Sequence, residues 1–541
     1  MSTTEKKDVD KKDIDSVEKY VEPEAIHDEH RASSNPGYHL DVHDLDHVQR
    51  RLKQRHVQMI AIAGTIGTGL FLGSGHALQG AGPLGALIAY ALVGTVAYSS
   101  LCSVGEMTTH APISGTFPHY AARWVDPALG FAVGWNYFYT NAISTPVEVT
   151  AAVILITFWD ENTSHAAIYT AVICVLMVSI NIFGVKWFGE SEFVFSLIKI
   201  ALILGLLIAG LVIDLGGGPQ GERIGFRYWK NPGAVAGAGL VKNIHTDRFL
   251  GILSVLVQAA FSFQAMELVA IAASETESPR RNIAKAVKRV FWRIFIFYIL
   301  GILMIGMLVS SADEALLADT GTAAQSPFVI AMNRAGVKVL PHIINAGVFT
   351  SAFSAGNSYL YCSSRILYGL ALRGQAPKIF TRCTKNGLPL LAVLFTACFS
   401  LLSFMNVSSG AETVFNWFSM NLTYVFFYRG MKHQGFDLRK NVYNNRLQPY
   451  VAYWGIFWTI FFIIVNGYAV FFDFNASDFL TSYINIPIFL GLYGGYKILK
   501  RSKFWRVDEM DFVTGIPTLE ETEIPEVPPK NIWERIAGIL F

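Results

Sequence analysis

Gly64-Thr65-Ile66-Gly67-Thr68-Gly69 lies inside the apolar run from Val57 to Leu78. Three glycines in six residues weaken a helix by about 1 kcal/mol each relative to alanine. The flanks, Met59-Ile-Ala-Ile-Ala63 and Leu70-Phe-Leu72, are as hydrophobic as a membrane span. A membrane helix that breaks in its middle frees backbone N–H and C=O groups with no water to satisfy them. Such a break is tolerated where it is buried or lines a cavity. In transporters, substrate or coupling-ion charges then complete the freed groups. The alternative is a packing face, because Gly69 and Gly73 form a GxxxG that brings helices together. A phosphate-cradling loop needs a preceding strand and a Lys-Ser/Thr, and neither is here.

The chain of 541 residues is 52% hydrophobic and 16% charged, with a mean hydropathy of +0.38. Soluble chains carry about 25% charged residues. Here the charges crowd into the ends and a few loops. The expected class is an all-α polytopic membrane protein. A net charge of +2 gives no sign of nucleic-acid binding. The five cysteines follow no metal or disulfide spacing, so neither metal nor cofactor is expected.

Residues 1–49 read as a disordered tail, charged and poor in aromatics, with no signal peptide. Arg50-Arg51-Leu-Lys53-Gln-Arg55 abuts the first apolar run, which places that end in the cytoplasm. A span needs roughly 20 apolar residues. Twelve candidates lie at about 57–78, 84–108, 128–158, 166–186, 190–213, 249–273, 290–309, 341–371, 388–406, 411–428, 449–472 and 478–498. Loops expected inside are basic: Arg280 to Arg289, Arg373 to Lys385, and Arg429 to Lys440. Loops expected outside, 79–83, 159–165, 407–410 and 473–477, hold no Lys or Arg; the long loop 214–248 is the exception. Both termini are therefore expected in the cytoplasm, with a permease-like domain over 50–498 and a tail over 499–541.

Ionisable residues within spans point to function, because burying them is unfavourable. Glu106 ends the second span and can reach the interface. Glu148 follows Pro146 in the third, while Lys199 and Glu267 sit mid-span in the fifth and sixth. Lys199 and Glu267 can each make an intrahelical ion pair or a backbone hydrogen bond, or carry a proton once burial has moved their pKa values. The sixth span echoes the first, since Phe261-Ser-Phe-Gln-Ala-Met-Glu267 interrupts an apolar helix with polar groups. Two interrupted helices five spans apart predict a five-plus-five inverted repeat. The halves would be about 57–213 and 249–428, with discontinuous helices 1 and 6 and extra helices over 449–498. Ser351-Ala-Phe-Ser354-Ala-Gly356-Asn357-Ser358 of the eighth span can line the same cavity or serve close packing.

From about residue 50 onward the chain resembles the fungal amino-acid permeases of the amino acid–polyamine–organocation superfamily. The stretches that carry this are Arg55 to Gly75, Glu106 to Tyr137, Phe261 to Glu275, Glu275-Thr-Glu-Ser-Pro-Arg-Arg-Asn282, and Glu509-Met-Asp-Phe-Val-Thr-Gly515. The resemblance implies the broken-helix fold, a multi-pass plasma-membrane location and proton symport of L-amino acids. It also implies that the protein is no enzyme. Its partners would be an amino acid, protons and the lipid bilayer. By the same resemblance, Gly67, Thr68 and Gly69 hold the substrate α-carboxylate through their amides. The carbonyls of Thr65, Phe261 and Ser262 accept from the α-ammonium, and Phe263 covers the substrate. Glu267 couples the gates, and Lys199 matches a lysine that replaces a sodium ion with a transferable proton. Lys6, Lys7, Lys11 and Lys12 match acceptors for ubiquitin-ligase machinery, or form a solvated charge run.

Two departures stand out. Ala265-Met266 replaces the family's glycine-threonine. About a dozen residues are missing after Asn416-Trp-Phe418, which leaves a tenth span of eighteen residues, Ala411 to Tyr428. At 1.5 Å per residue that reaches ~27 Å, against a ~30 Å hydrocarbon core. Two other readings therefore stand beside transport: a nutrient sensor of the same fold, and a transport-inactive form caused by the short tenth helix.

Overall fold

The first apolar run does break at the glycines. In the computed structural model, which describes residues 50–160, 162–219, 221–317, 326–337, 339–405, 411–524 and 531, helix α1 (Gln54–Thr65) stops and α2 (Thr68–Phe71) restarts. Ile66 leaves the helix at φ −81°, ψ 81°, and Gly67 follows at φ −108°, ψ −148°. The next helix, α3 (Gly73–His110), turns sharply at Gly82 (φ 73°), just before Pro83. This bend divides the first apolar run from the second, close to the expected boundary. A side chain at Gly82 would meet the backbone of the long 214–248 loop, since its Cβ would fall 2.6 Å from Ala236 N. That loop is stitched to the bend by Ala236 N donating to Ala81 O and Leu84 N donating to Ala234 O.

The chain continues through α4 (Thr116–Trp124), α5 (Pro127–Ile156), α6 (Ala166–Ile182) and α7 (Val185–Asp214). The sixth apolar run is interrupted like the first. It is built from α8 (Ile244–Ser254), α9 (Leu256–Ser262), a turn, and α10 (Leu268–Ile271). Then follow α11 (Pro279–Leu308), α12 (Leu340–Leu372), α13 (Leu390–Ala397) and α14 (Ala411–His433). Last come α15 (Tyr450–Val465), α16 (Ala476–Tyr483) and α17 (Asn485–Lys500). Among the described residues there is no strand, only one isolated bridge between Leu52 and Thr276. Helices α3, α5, α7 and α11 are each long and apolar enough to cross a membrane.

The helix over the tenth apolar run continues past Tyr428 to His433, giving 23 residues, and its added turn carries Arg429, Lys432 and His433. Phe436 N donates to Met431 O, and Gly435 takes φ +81°. A left-handed glycine just past the last turn is how many helices close. The preceding run is stretched: α13 passes into a 3₁₀ segment over Cys398–Met405. Such a run rises about 2.0 Å per residue, so its eight residues climb further than an α-helix would.

Two long packings form the interior, α3 along α11 and α5 along α12, with both interrupted helices lying against them. Helices α6, α7, α15 and α17 instead turn apolar side chains outward, among them Val175, Ile208, Ile464 and Leu490. An apolar outer face is what lipid contact requires. Glu106, expected to reach the interface, is buried; it accepts from the Tyr424 hydroxyl and from Asn445 N at 2.6 Å. The four tail lysines lie outside the described residues.

Residues 502–524 run back across one end of the bundle. Arg123 donates to Asp511 O and Thr514 O, and Trp124 donates to Asp511 O. Phe512 packs among Trp124, Phe427 and Phe436. Arg280 reaches Thr522 Oγ1 and Pro517 O. The Glu509–Gly515 motif thus ties α4 to α14, and the residues just after it reach α11.

Candidate functional site

Breaking α1 frees carbonyls that need donors. Each comes from a different element. Ser351 on α12 donates to Ile66 O at 2.8 Å. Tyr298 on α11 donates toward Thr65 O at 2.7 Å. Lys199 on α7 donates to Ala63 O. The backbone hydrogen bond expected as one option for Lys199 is therefore made.

The restart at α2 is met by an acid. Glu148 Oε1 on α5 accepts from Thr68 Oγ1 at 3.1 Å and lies 3.4 Å from Thr68 N. A half-helix N-terminus favours an anion there. A Cβ on Gly67 would sit 2.6 Å from that same oxygen, and one on Gly69 would sit 2.9 Å from Ser262 Cα. Both glycines are thus needed for close approach. Glu148 Oε2 is buried with no hydrogen-bond partner in the structure.

The second break lies directly alongside. Phe261 O accepts from Gln264 N at 3.1 Å, while Ser262 O accepts from the Tyr298 hydroxyl at 2.6 Å. Ala265 turns the chain at φ +69°, a left-handed conformation that glycine adopts freely and alanine does not. Gln264 donates to Ser144 Oγ at 3.0 Å and accepts from Thr413 Oγ1 at 3.1 Å, tying the break to α5 and α14. Glu267 begins α10 and accepts from the Tyr137 hydroxyl at 3.2 Å.

Thr65, Gly67, Thr68, Gly69, Phe261 and Ser262 are thus brought together at the two breaks. Phe263 packs its ring against Tyr90 and Tyr298, 6.1 Å and 4.8 Å away between centroids. Lys199 and Glu267 are not paired with each other. Lys199 instead interacts electrostatically with Glu192 and Glu148. Glu192 accepts from Ser354 at 2.6 Å and from Asn357 at 2.5 Å. The polar residues of the eighth apolar run therefore serve Ile66 O and Glu192.

Sequence reasoning left Glu148 without a role and passed over Glu192 and Tyr298. Glu192 had a signal: it precedes Lys199 by seven residues, two helical turns on one face. Tyr298 had none, as one aromatic in Phe295-Ile-Phe-Tyr298.

Among the described residues, long apolar helices, an apolar outer face and two interrupted helices meeting in the buried interior define a multi-pass membrane protein. The family model described as amino acid permease matches residues 56–509, and the chain belongs to that family. It is 42% identical over 518 residues to the proline-specific permease of Emericella nidulans, covering 91% of this chain and 93% of that one. It is 39% identical over 486 residues to the dicarboxylic amino acid permease of Saccharomyces cerevisiae, with 86% and 80% covered. It is also 39% identical over 504 residues to the lysine-specific permease of that yeast, with 90% and 82% covered.

Proposed function

We propose that this protein is a plasma-membrane permease that imports L-amino acids with protons. In this reading, twelve spans form two inverted five-helix halves plus two extra helices, with both termini cytoplasmic. The observation that carries the proposal is the meeting of the two breaks. The carbonyl ends of α1 and α9, at Thr65 and Ser262, converge on one hydroxyl, while the amide end of α2 faces a carboxylate. Partial negative charge on one side of the gap and partial positive charge on the other suit a zwitterion. The α-carboxylate goes to Gly67, Thr68 and Gly69, and the α-ammonium to the carbonyls of Thr65, Phe261 and Ser262.

Proton coupling falls to Lys199 and Glu267, with Glu148 between the substrate site and Lys199. The contacts to the zwitterion are mostly backbone, so they recognise the amino-acid class. Side chains from the third, sixth, eighth and tenth spans choose among its members.

Purified protein in proteoliposomes tests the reading. Competition by each of the twenty amino acids against one labelled substrate identifies the range. Uptake that rises with an inward proton gradient is expected, and uptake indifferent to the gradient removes the proton part.

A further inference from the structure

Tyr298 is fully buried, and its single hydroxyl proton faces two acceptors. Thr65 O lies at 2.7 Å and Ser262 O at 2.6 Å. One O–H donates fully to one oxygen; Thr65 O also accepts from Gly67 N at 3.0 Å, so it is Ser262 O that depends on the hydroxyl. Both oxygens lie at the C-terminal ends of half-helices, where partial negative charge gathers. The ring is held by Phe263 and Tyr90, with centroids 4.8 Å and 6.2 Å away, which fixes where the hydroxyl reaches.

We propose that Tyr298 stands in for the substrate ammonium when the site is empty. This rests on reading Thr65 O and Ser262 O as the ammonium acceptors. An ammonium brings more N–H donors than the one O–H, so on loading it takes both carbonyls and the hydroxyl yields them. The opposite end of the gap is filled in the same way, by a carboxylate of the protein itself. Glu148 Oε1 already occupies the side of Thr68 where a substrate carboxylate would arrive. The protein thus sets one of its own donors and one of its own carboxylates against the two ends of the site.

The consequence falls on one step of the cycle. A carrier that has released its substrate must turn back with both breaks sealed from water again. Tyr298 supplies the donor for that return. A loaded carrier brings its own donor and does not need the hydroxyl. Tyr298 is therefore a positioning residue for the empty return.

Net uptake and exchange separate these steps. Proteoliposomes are normalised to reconstituted protein. The probes are tritiated L-proline, L-lysine and L-glutamate, and the one carried fastest by the wild type is used. Net uptake is measured into vesicles without amino acid, and exchange into vesicles preloaded with the same unlabelled compound. In Tyr298→Phe, net uptake is expected to fall about tenfold or more relative to exchange, the effect of leaving a buried carbonyl without its donor. Equal losses in both modes, or no change in either, overturn the proposal. Tyr90→Phe removes a hydroxyl that bonds the Ser262 side chain at 3.0 Å, not a carbonyl, and should keep the wild-type ratio. A similar fall there also overturns it. Thr68→Trp in the same vesicles tests the site itself. Normal transport by that variant sinks the substrate-site reading, whereas an inactive Thr68→Trp beside an unchanged Tyr298→Phe ratio sinks only the role of Tyr298. Should Tyr298→Phe not yield folded protein, 3,5-difluorotyrosine at position 298 keeps the ring and strengthens the donor. The KM for net uptake should then rise severalfold, and an unchanged KM overturns the proposal.

Discussion

Ala265 holds a left-handed backbone, φ +69°, in the turn that interrupts the sixth apolar run. An L side chain is strained there, and glycine is not. Ala265→Gly should therefore stabilise the protein, by up to about 1 kcal/mol after the loss of chain stiffness in the unfolded state is counted. Thermal unfolding in detergent measures this as a higher Tm. Gly67→Ala should do the opposite. Its Cβ would fall 2.6 Å from Glu148 Oε1 and 3.2 Å from Ala355 Cβ, so the gap must widen or the acid must move. Uptake should be lost while the protein still reaches the membrane, as read by surface labelling beside uptake. At this scale the two breaks were legible, because glycines and polar groups inside apolar runs are local chemistry. The residues that fill them were not. Glu148 and Tyr298 lie 80 and 233 positions from the groups they meet, Thr68 and Thr65, and no local pattern records that.

Helix α14 shows what local reading does and misses at the scale of an element. Ending the tenth span at Tyr428 followed from the charges Arg429 and Lys432. The helix continues through them to His433, because a basic last turn suits the negative helix end. The stop signal was Gly435, which closes the helix at φ +81°. At 1.5 Å per residue the whole helix reaches ~34 Å, while its apolar part stays at the eighteen residues from Ala411 to Tyr428. The strap over 502–524 depends on charge as well as packing. Burial alone would raise the Asp511 carboxyl, but Arg123 and the amides of Thr514 and Val513 outweigh it and hold the group below the ordinary aspartate value. A depressed carboxylate contributes stability above its unfolded pKa and loses it as pH falls through the folded value. The strap should thus stay docked at neutral pH and loosen only below about pH 4. Hydrogen exchange of the 505–515 amides in nanodiscs, followed from pH 7 to pH 3, reads this. Release already at pH 6 would exclude Asp511 as the controlling group.

Across the whole molecule, one buried ion pair joins the segment after α10 to α12. Glu275 Oε1 meets Arg365 Nε at 3.2 Å with both side chains buried, and Tyr361 donates to the second carboxylate oxygen. The backbone at Glu275 also receives Arg51 N and Leu52 N, which brings in the start of α1. Glu275→Gln leaves Arg365 charged and buried, so a loss of about 3–5 kcal/mol in stability is expected. Glu275→Gln with Arg365→Met should recover much of the loss. A Tm for the double variant as low as for the single would show that the pair is not what holds these elements. Helicity, membrane embedding, the positions at which two weak helices break and the family are all legible in the order of the residues. These follow from hydropathy, glycine content and motif order, all properties of neighbouring residues. The tertiary structure alone decided how each freed carbonyl and amide is satisfied. A broken helix in lipid must borrow its partners from other helices, and those partners are brought near only by packing.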